Sequence, residues 1–322
     1  MNERDDGPGP ALPFFSVVIP VHNKVEYLEK SLACVYGQSF QDFEVIAVDD
    51  HSSDGSLEIL QQHERAGRLT LFQRSEPGPG GYAARNLGVQ KANAEWIVFF
   101  DADDIMHADH LNDFHDMISQ NPELRFFCGN YNKMAGGKVS GKVINVKSGI
   151  YSRLDGLTFY ALDDFIHMNS ACTHVTLFKE LGGFLEGEYK RGGDVYFWVK
   201  LLTRIDGFYY SDRVTSEWHV DHSGVTKNPR NLTLHPLADF LKKETPCLDK
   251  ACDFQLRKII NRKVISWAAE KKVQGKGCYK DFPHISIKCL GFGGMSRVLL
   301  LFMPLSFYKR VVRVKRAWPG KK

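Results

Sequence analysis

Three carboxylates in four positions, Asp101-Ala102-Asp103-Asp104, follow directly on the apolar run Trp96-Ile97-Val98-Phe99-Phe100. Such a run reads as a buried strand. Carboxylates crowded at its exit repel one another and are costly to strip of water, so they call for compensating positive charge. A hard divalent ion such as Mg²⁺ or Mn²⁺ supplies it, taking carboxylate oxygens and sharing its other positions with phosphates. The plainer reading is an acidic turn in which Asp104 caps a following helix. A second such group, Asp50, ends the apolar stretch Phe43 to Val48. As an acceptor-only carboxylate it suits an N–H donor, with helix capping as the alternative.

These side chains need elements to position them. Phe15 to Ile19 reads as a strand stopped by Pro20, and Tyr27, Leu28, Leu32 and Val35 share one helical face. The spacing then predicts strand 43–48, a capped turn Ser52-Ser53-Asp54-Gly55-Ser56, helix 57–63, strand 69–72, a Gly/Pro loop 76–81, helix 82–91 and strand 96–100. Strands alternating with helices make an α/β fold with a mainly parallel, twisted sheet and helices on both faces. Ligands of such sheets bind beyond the carboxyl ends of the strands. Those ends carry Pro20 to Asn23, Asp49-Asp50 and Asp101 to Asp104, so polar groups from three strands should converge on one crevice. The middle is less regular: helices at 109–119, 177–184 and 194–203, and strands at 126–131, 142–150, 208–210 and 216–220. Beyond Pro229 helices are expected at 232–243 and 251–272, before a basic, apolar end.

Four pieces in fixed order carry a resemblance: Val17-Val18-Ile19-Pro20-Val21-His22-Asn23, Val48-Asp49-Asp50-His51-Ser52-Ser53-Asp54-Gly55-Ser56, Ala84-Arg85-Asn86-Leu87-Gly88 and Phe100-Asp101-Ala102-Asp103-Asp104. Together they resemble the family 2 glycosyltransferases of GT-A fold, over roughly residues 15–224. The resemblance implies an inverting enzyme that moves a sugar from a nucleotide-diphosphate sugar, a UDP-sugar by preference, to a hydroxyl of a glycan or lipid-linked acceptor, as in surface polysaccharide synthesis. It implies Mn²⁺ or Mg²⁺ as cofactor. Pro20, Val21, Asn23 and Asp50 would line the base pocket, Arg85 would reach the base or a diphosphate oxygen, and Asp101 and Ala102 would meet the nucleotide sugar. Asp103 would be the direct metal ligand, with His222 completing the shell or holding the diphosphate and His219 as its rival. Asp194, behind Arg191-Gly192-Gly193, would be the catalytic base; Gly193 stands where the family often has Glu. Its alternative is an N-cap, and one carboxylate can serve both ends.

Two other classes compete. Gly78-Pro79-Gly80-Gly81-Tyr82-Ala83 fits the dinucleotide-binding fingerprint G-x-G-x-x-[GA] ahead of a helix, which would make an NAD(P)-dependent oxidoreductase. Two strand–helix units precede it, however, and Pro79 removes an amide that would face phosphate. A non-catalytic nucleotide- or glycan-binding module on the same scaffold is the other. His167 to Ser170 are candidates to face an acceptor.

Bulk properties bound the rest. At 322 residues, with 43% hydrophobic and 25% charged residues and a net charge of +4, the chain is globular. Seven cysteines without CxxC spacing suggest reduced thiols and a cytoplasmic setting. Expected divisions are a disordered lead-in (1–13), a GT-A domain (14–228, with a nucleotide half to 105 and an acceptor half beyond) and a helical basic region (229–322). No Asp or Glu follows Asp281. The apolar 298–305 with the basic residues after it suggests a peripheral seat on a membrane's cytoplasmic face. No nucleic-acid partner is expected.

Overall fold

The computed structural model describes residues 12–139, 144–187, 189–222 and 231–317. Most of the expected lead-in, part of the 142–150 strand, and residues 223–228 of the GT-A range lie outside them. So do Lys321 and Lys322.

The chain forms two compact units: residues 1–150, 166–188 and 207–223, and residues 151–165, 189–206 and 224–322. The strands are β1 (Phe15–Val21), β2 (Phe43–Asp49), β3 (Thr70–Gln73), β4 (Trp96–Phe99), β5 (Ile105–Met106), β6 (Phe126–Ala135), β7 (Lys138–Val139), β8 (Gly149–Ser152), β9 (Ala171–His174) and β10 (Gly207–His219). The helices are α1 (Val25–Tyr36), α2 (Ser56–Arg65), α3 (Tyr82–Lys91), α4 (His110–Gln120), α5 (Arg153–Leu162), α6 (Val175–Glu180), α7 (Gly193–Arg204), α8 (Phe240–Glu244), α9 (Lys250–Val273), α10 (Phe292–Phe302) and α11 (Leu305–Ala317).

In the first unit the strand order is β3-β2-β1-β4-β9-β6-β10-β5. β3, β2, β1 and β4 run parallel, β9 enters antiparallel between β4 and β6, and β6 and β10 are parallel again. The two-residue period of a strand sorts the core into two layers. Val17, Ile19 and Val21 of β1 and Val45 and Ala47 of β2 share a cluster with Leu28 and Leu32 of α1, Leu60 of α2 and Leu111 of α4. Their alternates Ile46 and Val48 pack with Ala84 of α3. Gly88 lets α3 lie close on β1: a Cβ there would come within 2.3 Å of Val18 Cγ1.

The two short strands expected at 208–210 and 216–220 are one strand, β10, whose register on β6 shifts twice between Ser211 and Glu217. Such irregularities break the alternation that a sequence pattern relies on. Of the expected 142–150 strand, the described residues from 144 on are extended into a strand only where β8 begins at Gly149. The helix expected at 232–243 is a 3₁₀ turn, Pro236–Asp239, followed by the short α8. Pro236 suits a first helical position, which delays the start.

In the second unit α9 is the long element, and α5 and α10 pack on it. Asp249 caps its start by accepting from the Cys252 N–H at 2.7 Å. Against α9, Asp164 pairs with both Arg262 and Lys263. Burial works against its ionisation, but Lys263 and Arg262 hold the carboxyl down at about 2. All seven cysteines are free thiols. Among the described residues no helix is long and apolar enough to cross a membrane.

Candidate functional site

β2, β1 and β4 are neighbours, and all three exit on the same edge. The Asp50 N–H donates to the Val21 carbonyl at 2.7 Å, and the Phe100 N–H to the Val18 carbonyl at 3.0 Å. The ladder therefore continues one residue past β2 and β4, and delivers Asp50 and Asp101 to either side of the end of β1. Asn23 turns the chain out of β1 with φ 53, and its Oδ1 accepts the Ser53 N–H at 2.8 Å. His22 Nδ1 lies 2.8 Å from the Asp50 carbonyl and donates to it.

The buried Asp50 carboxylate receives the Arg74 guanidinium, and the Gly78 N–H reaches both its oxygens at 3.0 Å. The Gly78 amide of the supposed dinucleotide fingerprint is thus directed at a protein carboxylate. Gly80 and Gly81 take φ of 72 and 70, the left-handed region that glycine adopts without strain. That turn starts α3, which carries Arg85. Arg85 pairs with Asp101 and donates to the Gly80 carbonyl at 3.2 Å.

The three carboxylates of 101–104 have three different partners. Asp101 pairs with Arg85, and its N–H donates to Asn169 Oδ1 at 2.8 Å. Asp103 pairs with Lys24, whose ammonium also lies 3.4 Å from the His222 carbonyl. The buried Asp104 accepts from the Asn169 amide and from the His219 N–H at 2.7 Å. Burial opposes ionisation of all three, and the outcome depends on the neighbours. Arg85, with help from His167 and Lys24, holds Asp101 below the usual carboxylate range. For Asp103, burial and the Asp101 charge outweigh Lys24, and its carboxyl is raised. Asp104 stands well above the ordinary value because burial is joined by repulsion from Asp101 and Asp103. One half-built charge cluster therefore contains one firmly ionised carboxylate and two that need more positive charge.

Asp101, Asp104 and His167 each offer a ligand atom, and these atoms lie within 4.8 Å of one another. Two oxygens and one imidazole nitrogen suit Mg²⁺ or Mn²⁺. Within this cluster the geometry brings together His167 instead of the expected pair, Asp103 and His222. Asp103 is occupied by Lys24, and His222 Nδ1 donates to the Asp103 carbonyl at 3.0 Å. The His222 ring stacks with Tyr27 at 4.1 Å and with His219 at 5.0 Å. His167 is itself stacked on Trp218 at 4.8 Å and lies 5.0 Å from Tyr131.

Asp194 belongs to the second unit. α7 is capped by Gly192 in the left-handed conformation (φ 83), so Asp194 is not the N-cap but a first-turn residue. A carboxylate there is favoured by the helix dipole. Within this unit its charge acts on Lys263, as does that of Asp164.

Lys24, Arg74, Asn169 and His167 are the residues that motif reading did not place. Lys24 adjoins the first motif, and His167 and Asn169 lie in a stretch noted only as acceptor-facing. Nothing local in Arg74 marks it, because its role comes from β3 lying beside β2.

The model of "Glycosyl transferase family 2" matches residues 16–180. A protein of Haemophilus influenzae described as an uncharacterized glycosyltransferase is 36% identical over 122 residues, 37% of this chain and 48% of that protein. The poly(ribitol-phosphate) beta-N-acetylglucosaminyltransferase TarP of Staphylococcus aureus is 30% identical over 152 residues, 46% of each chain. This chain thus spans about half the length of both relatives. Among solved structures, S. aureus TarS residues 1–349 in complex with UDP-GlcNAc superposes with a TM-score of 0.68 at 21% identity, over 88% of this chain and 81% of that one. At this identity the likeness is one of fold, that of a GT-A sheet with helices.

Proposed function

The chain belongs to glycosyl transferase family 2, and from that premise we propose that it is a metal-dependent, inverting glycosyltransferase using a UDP-sugar. The observation that carries the reading is the cluster at the exits of β2, β1 and β4: Asp50, Asp101 and Asp104 on one sheet edge, with His167 within ligand distance of the last two. TarS, a relative in fold, binds UDP-GlcNAc, which supports uridine as the base. TarP's polyol-phosphate substrate supports a surface polysaccharide or a lipid-linked glycan as the acceptor class.

In this reading Asp50 receives the imide N–H of the base. Arg74 and Gly78 hold the carboxylate in place, and it keeps acceptor capacity beyond those bonds. Pro20, Val21 and Asn23 line the base pocket. Asp101, held by Arg85 and Asn169, meets the ribose, with Ala102 beside it. Asp101, Asp104 and His167 would hold Mn²⁺ or Mg²⁺, with Asp103 joining once Lys24 is displaced, and His222 set to meet the diphosphate. A bound ion would neutralise charge on the leaving diphosphate. Asp194 takes the proton from the acceptor hydroxyl as it attacks the anomeric carbon.

A thermal-shift screen of UDP, GDP, CDP and NAD, each with and without Mn²⁺, tests this. Stabilisation by UDP that grows with Mn²⁺ is expected. Stabilisation by NAD alone would end the proposal, and UDP binding without any sugar transfer would reduce the protein to a binding module.

A further inference from the structure

The C-terminal part of the second unit presents an apolar face beyond anything the proposed chemistry uses. A helix turns by about 100° per residue, so Phe292, Leu299 and Met303 share one side of α10 and its end, and Leu301 lies opposite. Leu301 is buried with Ala268, Cys278 and Tyr308 and anchors the helix. The other side is open among the described residues: Phe292 is 94% exposed and Leu299 57%. Phe302, about 80° round the helix, is 67% exposed although its ring stacks on Phe282 at 4.7 Å. Ile287 before the helix and Phe307 after it are exposed too, at 69% and 49%. Five large apolar side chains are thus exposed within some twenty residues, a local concentration beyond the scattered exposure normal for a soluble surface.

Charge decides what the patch fits. Lys288, Lys309 and Arg310 are exposed in the same stretch of chain, Arg297 lies toward the packed side of α10, and no carboxylate side chain occurs in the sequence after Asp281. Exposed apolar anchors in a segment that carries cations and no carboxylate match the headgroup–acyl boundary of a bilayer rich in anionic phospholipid. A protein partner would be expected to meet mixed charge at the rim. No described helix is able to span a bilayer, so the contact is one of lying on the surface.

We propose that α10 and the start of α11 dock this protein on an anionic membrane surface through Phe292, Leu299, Phe302 and Phe307, with Lys288, Lys309 and Arg310 reading the lipid charge. The inference does not depend on the donor or metal assignment.

Flotation of the full chain with phosphatidylcholine vesicles, with and without phosphatidylglycerol, is the test. The wild type is expected to float with anionic vesicles and to detach as salt is raised. F292S/L299S/F302S should reduce the floated fraction about tenfold or more. K309E/R310E should abolish the preference for phosphatidylglycerol while leaving the melting temperature unchanged. Melting curves of the triple variant guard against unfolding, since its substituted positions are already exposed. The proposal is overturned if the wild type stays in solution, or if the folded triple variant floats like the wild type. It is also overturned if lipid charge makes no difference. A wild-type dimer in vesicle-free solution that the triple variant converts to monomer would likewise overturn it, assigning the face to a second copy of the chain.

Discussion

Lys24→Met isolates the cation that the fold itself supplies to the 101–104 cluster. The side chains of Lys24 and Asp103 are 21% and 12% exposed, so the pair is mostly withdrawn from water. Breaking a fully buried pair by removing one partner costs about 3–5 kcal/mol, and a well-exposed pair contributes about 0–1. This pair lies between those cases. Asp103 can also take up a proton, since its carboxyl is already raised, which caps the penalty. A loss of about 2 kcal/mol is expected without divalent ions, a fall of about 4–8 °C in the melting of a unit of this size. Mn²⁺ with UDP should narrow the gap, because the ion must displace Lys24 in the wild type but answers an uncompensated Asp103 in the variant, so the variant gains more than the wild type from the same ligand. Melting of wild type and variant, in chelator and in Mn²⁺ with UDP, reads both effects. An equal deficit in both conditions would refute the reasoning: Lys24 would then be an ordinary structural ion pair, not the occupant of a place that a metal complex shares.

Three further outcomes follow from the geometry. Gly88→Ala should cost about 1–3 kcal/mol by overpacking against Val18 and should loosen Arg85 on the same helix; Val18→Ala in the same chain should return part of the loss, and additive losses would contradict it. Burial lowers His110 to about 3, so it folds neutral and the unfolded chain takes up its proton first, below about 6.5. Its share of stability is present above 6.5 and drains away toward pH 3, about 2 kcal/mol of it between pH 7 and pH 5; urea titrations at the two pH values should show a slope that His110→Gln flattens, and an unaltered slope would exclude this residue as the cause. Asp194→Asn should lower kcat by about 10²–10⁴ while UDP binding survives, read by turnover beside calorimetry, and full turnover would remove it as the base.

The order of elements, the parallel strands β1 to β4 and the strand-exit carboxylates were legible because each follows from short-range regularities. An apolar run with polar ends reads as a buried strand. The register shifts in β10 were not legible, since an irregular strand loses the alternation by which it is read. Asp194 has the residue type of an N-cap, but the left-handed Gly192 takes that place one residue before α7 begins.

Residue type and local spacing alone therefore determined the strand-exit acids, the family pattern and the carboxylate-free C-terminal end. Tertiary structure decided which group answers which charge. Lys24 reaches Asp103 across 79 positions, Asn169 reaches Asp104 across 65, and Arg74 reaches Asp50 across 24. Electrostatic compensation acts through space at a few ångströms, and only the order of strands in the sheet determines which distant residues come that near.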